Sequence, residues 1–168
     1  MALLPIVQWP DPGLSTRCAP VGDEDLTALI ADMFDTMYHA PGRGLAAPQV
    51  GVLKRLFVMD VSWKEGEATP LVMINPEILS FGEAQQPGDE GCLSIPGLLV
   101  AVQRPTTVTL RWQDAGRAWQ QGRFDGFAAR CIQHEYDHLD GLVTFDRLAP
   151  ATRAEAEDTY RRTLENSA

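Results

Sequence analysis

Apolar residues first recur at helical spacing between residues 23 and 40. Leu26, Leu29, Ile30, Met33 and Met37 fall on one face of a helix there. Asp23 stands ahead of them as a cap, Glu24 and Asp25 suit the positive end, and Pro41-Gly42 stops the pattern. Residues 1–22 carry Pro5, Pro10, Pro12 and Pro20 with Gly13 and Gly22, so an extended arm with turns is expected. Its Leu3, Leu4, Ile6 and Val7 are expected to pack on the body. From residue 54 the pattern shortens. Residues 54–61 and 70–75 are brief apolar runs of β type, and residues 77–81 form a further strand closed by Gly82. Residues 83–89 are polar and read as loop. Residues 98–102 and 106–112 read as a strand pair around Gln103-Arg104-Pro105. Asp114-Ala115-Gly116-Arg117 makes a turn before residues 118–124. No helix-length segment separates these strands, so neighbours should be mostly antiparallel. Helical character returns at 125–140, ending in Leu139-Asp140-Gly141 with Gly available for a left-handed cap, and again at 150–165.

The length of 168 residues fits one domain, residues 1–168, with a real core. A net charge of −9 argues against nonspecific binding to nucleic acid or to an acidic membrane. No apolar run is long enough to span a bilayer, and the first residues lack a secretory leader. Cys18, Cys92 and Cys131 are odd in number and widely spaced, so they form no disulfide framework. A cytoplasmic protein is expected.

The stretch richest in chemistry is Cys131-Ile132-Gln133-His134-Glu135-Tyr136-Asp137-His138. On a helix, His134 and His138 lie one turn apart on one face and can grip a metal ion together. Glu135 sits beside the first imidazole and can reach a metal-bound water without being a ligand. A solvated surface helix carries such a string by chance. Two of the three histidines in the chain fall in it, however, and the helix ends sharply. A catalytic metal usually keeps three protein ligands and one open position. Cys92, Cys131, His39 and an acid are the candidates for the third. Cys131 would put three ligands nearly in line along one helix and reads better as packing. His39, in the last turn of the first helix, reads as a surface or capping residue. Cys92 lies in the Gly-flanked segment Glu90-Gly91-Cys92-Leu93-Ser94-Ile95-Pro96-Gly97 and is free to approach, although a buried small residue is its ordinary role. The run from Gly42 to Gly51 holds small residues that let backbone come close to a ligand. It ends near Gln49, whose amide can donate to an oxyanion; a tight structural loop explains the run equally well.

Three stretches together resemble the signature motifs of peptide deformylases, in order and in spacing: Gly42-Arg43-Gly44-Leu45-Ala46-Ala47-Pro48-Gln49, Glu90-Gly91-Cys92-Leu93-Ser94 and Gln133-His134-Glu135-Tyr136-Asp137-His138. The resemblance covers nearly the whole chain. It implies an α+β fold, with antiparallel β-sheets packed around a central metal-binding helix, an N-terminal helix and a C-terminal helix. It implies Cys92, His134 and His138 as ligands of one divalent metal ion, ferrous iron (Fe2+) in the cell, with Zn2+ or Ni2+ able to occupy the site. Glu135 then shuttles the proton, and the Gln49 side chain and the Leu93 backbone N–H stabilise the oxyanion. Gly44 lines the substrate cleft and Arg43 lies near the methionine pocket. The implied reaction removes the N-formyl group from the N-terminal methionine of newly made polypeptides and releases formate. The implied partner is the N-formylated nascent peptide, met by a monomer. A transient ribosome contact stays open, although the C-terminal segment is not basic. Two departures stand out. Arg43 occupies a position that is usually aliphatic, and Leu99 stands where many relatives carry an arginine. They motivate the alternative of a related deacylase acting on a different N-formyl or N-acyl peptide or amine.

Overall fold

The computed structural model describes residues 2–167, so positions 1 and 168 of the expected domain lie outside it. Its elements run α1 (Thr27–His39), β1 (Gly44–Ala46), β2 (Leu56–Met59), β3 (Leu71–Phe81), β4 (Gln85–Cys92), β5 (Ile95–Pro105), β6 (Thr107–Gln113), β7 (Trp119–Asp125), α2 (Gly126–Leu139) and α3 (Pro150–Ser167). Five strands form one sheet in the order β1-β2-β3-β6-β7, and β4 and β5 form a separate two-stranded ribbon. Every pairing between these strands is antiparallel. The expected α+β class is the one observed. No helix among the described residues is long and apolar enough to cross a membrane.

Strand β2 shows why the layers stack as they do. All four of its residues are buried, because both faces of the sheet are covered here. Leu56 and Val58 point to one face and join Met33 and Met37 of α1. Phe57 and Met59 point to the other and join Ala129, Ile132 and Leu139 of α2. Each such large side chain stabilises the fold by about 2 kcal/mol through apolar burial. The third helix packs through Tyr160 on Trp9, Phe145 and the ribbon residues Ile95, Val100 and Val102. Helix α2 therefore lies on the sheet with one face, and its other face is free to meet the ribbon.

Several expectations need correction. Helix α1 starts at Thr27 rather than at Asp23; the Asp25 carboxylate accepts from the Thr27 N–H at 3.0 Å, which turns the chain into the helix. The runs 70–75 and 77–81 are one strand, β3. Pro76 has no N–H for the ladder, and the register shifts between Ile74 and Glu77 instead of breaking. Asn75 takes a left-handed φ of 50° at that point, and its side chain bonds the Val21 backbone at 2.8 and 2.9 Å. The polar run 83–89 is mostly strand: β4 is an edge of the ribbon and faces solvent at most positions, so it lacks the apolar alternation of a core strand. The expected pair of 98–102 with 106–112 does not form. β5 pairs with β4, whereas β6 pairs with β3 and β7, since the chain leaves the ribbon at Pro105 and enters the sheet at Thr107. In the arm, Leu3 is exposed, while Leu4, Ile6 and Val7 are partly buried. The arm is also tied by its backbone: Val7 N–H donates to Gln49 O at 2.7 Å and Trp9 N–H to Ser94 O at 2.9 Å.

The ribbon is held on α2 by buried charge. Arg104 of β5, 4% exposed, donates to both Glu90 oxygens at 2.6 and 2.9 Å and to Asp137 of α2 at 2.9 Å. Removing one member of such a group leaves buried carboxylates short of partners. Arg104→Met is therefore expected to lower stability by about 3 kcal/mol, read as a lower urea midpoint; an unchanged midpoint would show that the ion group contributes nothing net.

Candidate metal centre

Helix α2 owes its position to two ends. It starts after β7 at Gly126, with a left-handed φ of 56°, and it stops before Gly141, with a φ of 78°. A Cβ on Gly141 would lie 2.9 Å from the Ser15 carbonyl carbon, so only glycine lets the chain turn there. With Ala129, Ile132 and Leu139 on the sheet, the helix turns His134 and His138 toward the ribbon. Their ring centroids lie 5.0 Å apart. Cys92 ends β4, just before the tight Leu93-Ser94 turn, and its Sγ lies 3.5 Å from His138 Nε2. One donor atom from each of Cys92, His134 and His138 lies within 4.8 Å of the others, and all three residues are buried. The two rejected candidates sit elsewhere. His39 is exposed at the end of α1. Cys131 directs its Sγ to the Arg43 carbonyl oxygen at 3.7 Å, and burial, reinforced by Glu135, pushes its thiol well above the ordinary range.

The donors fit a divalent first-row metal ion. His134 Nδ1 lies 2.9 Å from Glu90 Oε1. A carboxylate only accepts, so Nδ1 carries a hydrogen. Burial works against a charge on this ring, but Glu135, Cys92 and Glu90 outweigh it and push the imidazole well above its usual range, so a bound cation would take the place of a proton on Nε2. Burial works against the Glu90 charge, but hydrogen bonds from His134 and Arg104 outweigh it and hold the carboxyl down at about 2. Burial, helped by the positive charge of His134 and Arg104, pushes His138 well below its usual range, so this imidazole is neutral and able to ligate. Its Nδ1 is buried without a partner among the described residues, which leaves Nε2, the nitrogen facing Cys92, as the atom with a use. One thiolate and two neutral imidazoles make a donor set that iron, zinc and nickel all accept.

Glu135 stands beside these groups, 4% exposed, and its Oε1 has no partner among the described residues. Burial raises its carboxyl to about 7, against the pull of His134. Gly44 makes room for it: a Cβ there would come 2.5 Å from Glu135 Oε2. Gln49 sits in the 3-10 turn Ala47–Val50. Its Oε1 accepts from Ala46 N–H at 2.9 Å, and its Nε2 donates to Ser94 Oγ at 3.0 Å and toward Cys92 Sγ at 3.6 Å. The amide is thus fixed with its N–H groups on the site. Leu93 is the first residue of the turn after Cys92 and lines the same cleft of about 820 Å³, with Gly44, Gln49, Cys92, His134 and Glu135. Arg43 also lines it, but its guanidinium turns to Glu65 at 2.8 Å and lies 5.3 Å over the Phe127 ring. Leu99 is 66% exposed at the same cleft.

Sequence reasoning passed over Glu90, Ser94, Arg104, Arg130 and Asp137 as working residues. Glu90 had a signal: it lies two residues before Cys92, hence on the same side of a strand. Asp137 had one too, three residues after His134 on the helix. The partners on β5 had none, because nothing local to Arg104 says which strand it will face.

Comparison with known proteins agrees with this geometry. Residues 3–154 match the polypeptide deformylase family. A peptide deformylase of Zymomonas mobilis is 47% identical over 159 residues, covering 91% of this chain and 90% of that one. Peptide deformylase 2 of Xanthomonas campestris is 48% identical over 158 residues, covering 91% of each. Among solved structures, a peptide deformylase from Legionella pneumophila superposes with a TM-score of 0.89 at 39% identity, covering 99% of this chain and 98% of that one. One from Synechococcus elongatus in complex with actinonin gives 0.87 at 41% identity, covering 93% and 86%. Motifs, fold and relatives lead to one conclusion: the chain belongs to the polypeptide deformylase family.

Proposed function

We propose that this peptide deformylase takes the formyl group from the N-terminal methionine of newly made polypeptides, with Cys92, His134 and His138 holding the one divalent cation that the reaction needs. The reading is carried by one observation: a thiol and two imidazoles from separate elements meet beside the Glu135 carboxyl in an open cleft. Fe2+ is the cation proposed for the cell, with Zn2+ or Ni2+ as substitutes the same donors accept. When bound, it supplies Lewis acidity, which acidifies a water and polarises the formyl oxygen.

The chain's own groups do the rest. Glu135, buried beside the three donors with its Oε1 unpartnered among the described residues, is placed to take a proton and to give it back. It accepts the proton of the attacking water and returns it to the departing amine, so that formate and a free N-terminus leave. The Gln49 amide, oriented by Ala46, and the Leu93 N–H donate to the formyl oxygen as it gains charge. Gly44 leaves space for Glu135 and for the substrate backbone. Arg43, folded back on Phe127, forms part of the wall facing the methionine side chain. The working unit is residues 1–168, a cytoplasmic monomer that meets nascent peptides as they emerge and touches the ribosome no more than transiently.

Two measurements test the assignment. Anaerobically prepared, iron-loaded protein should release formate from a formyl-Met tripeptide. Glu135→Gln should keep its metal but lose about 100-fold or more in kcat, whereas unchanged turnover removes Glu135 from its role. Arg43 bears on the alternative, a related deacylase for another N-formyl or N-acyl peptide or amine. Its guanidinium is already engaged by Glu65 in a partly exposed ion pair worth little. Arg43→Ile should therefore leave the order of preference across a panel of N-acyl peptides as it is; a reordered panel would favour the alternative.

A further inference from the structure

Cys92 and the two imidazoles belong to parts of the fold that share no strand pairing among the described residues. Cys92 comes from the β4–β5 ribbon, and His134 and His138 come from the helix packed on the five-stranded sheet. The span between thiol and imidazoles therefore depends on how the ribbon seats on α2.

One helix side chain touches both ribbon strands. Arg130 Nη1 donates to Val102 O of β5 at 2.8 Å and to Glu90 Oε2 of β4 at 2.7 Å. Its Nη2 donates to Gln86 O of β4 at 2.7 Å. The residue lies one turn before His134, on the same helix face. Gly88 stands opposite Val102 in the ribbon. A Cβ on Gly88 would lie 2.9 Å from Arg130 Cζ and 3.0 Å from its Nε. The bare Gly88 backbone is thus the seat on which the guanidinium rests. The side chain is only 15% exposed and lines the catalytic cleft. Arg104 differs in kind: its bonds to Glu90 and Asp137 balance buried charge, whereas Arg130 also grips main-chain carbonyls of both strands.

We propose that Arg130 is a positioning residue, a staple that seats the Cys92 ribbon on the His134 helix through Gly88 and thereby sets the spacing of the three donors. The proposal rests on the reading of Cys92, His134 and His138 as ligands. Glu90 keeps Arg104 and His134 when the Arg130 guanidinium is removed, so the carboxylate is not orphaned and the variant protein should fold.

The test uses cobalt-loaded protein, in which a thiolate ligand gives a sulfur-to-cobalt charge-transfer band, and follows metal release to a chelator. Arg130→Met should release cobalt about tenfold faster or more, in line with the loss of a group that orients ligands. Gly88→Ala displaces the guanidinium by bulk alone and should speed release in the parent. In the Arg130→Met background the same alanine should add nothing, because the clash is gone. Arg130→Lys, which can still reach a carbonyl, should recover part of the loss. Iron-loaded Arg130→Met should lose kcat more than it gains KM, and circular dichroism of each variant checks the fold. Unaltered release from Arg130→Met, or additive effects of the two substitutions, overturns the staple while the ligand assignment stands. Lack of the thiolate band in the parent overturns both.

Discussion

The Glu90 carboxylate is the contact on which the site depends. Its two oxygens accept from Arg104, Arg130 and His134. A buried carboxylate is costly unless every lone pair is met, and here cationic and imidazole donors meet them. In return it fixes the hydrogen of His134 on Nδ1 and turns Nε2 toward the centre. The same carboxylate joins strand β4, which ends in Cys92, to helix α2, which carries both imidazoles. The hydrogen on His134 and the spacing of the candidate donors thus meet at one acid that stands outside the Cys92, His134 and His138 cluster.

Around this acid the site mixes two environments. His138, Glu135 and Cys131 are buried and feel low dielectric, which keeps the imidazole neutral and raises the carboxyl. The cleft beside them is open and lined by Leu93, Leu99, Phe127 and the stem of Arg43. An apolar side chain and an amide can therefore be bound in one place, the first along the wall and the second against the Gln49 amide. The charged heads of Arg43 and Arg130 do not spoil this wall, because each is already engaged by acids or carbonyls.

The helix and the clustering of its imidazoles are legible in the sequence. The HExxH spacing placed two imidazoles on one helix face, and α2 spans Gly126–Leu139 where residues 125–140 were expected. Geometry alone argues against Cys131, since three donors in line along a helix cannot surround an ion; it is the family resemblance that points to Cys92, which the fold brings within reach of both imidazoles. What stayed hidden was long-range pairing. Strand β4 is polar and borders solvent, so its period carries no signal and its sequence reads as loop. The pairing of β5 with β4 rather than β6 depends on Pro105 closing one sheet before Thr107 opens another. Without that pairing, nothing local in the sequence marks Arg104 or Arg130 as a partner of Glu90. The start of α1 was misplaced because three acids in a row, Asp23, Glu24 and Asp25, offered the same signal at three positions.

The N-terminal arm extends the argument to a place where no chemistry occurs. Val7 and Trp9 clip onto the carbonyls of Gln49 and Ser94, the two residues whose side chains hold each other at one corner of the cleft. A protease nick just beyond Trp9 would cut both clips from the body and remove none of Gln49, Cys92, His134, Glu135 or His138. It would still slacken both walls of that corner at once, and so would act as a lesion of the reaction delivered from the far end of the chain.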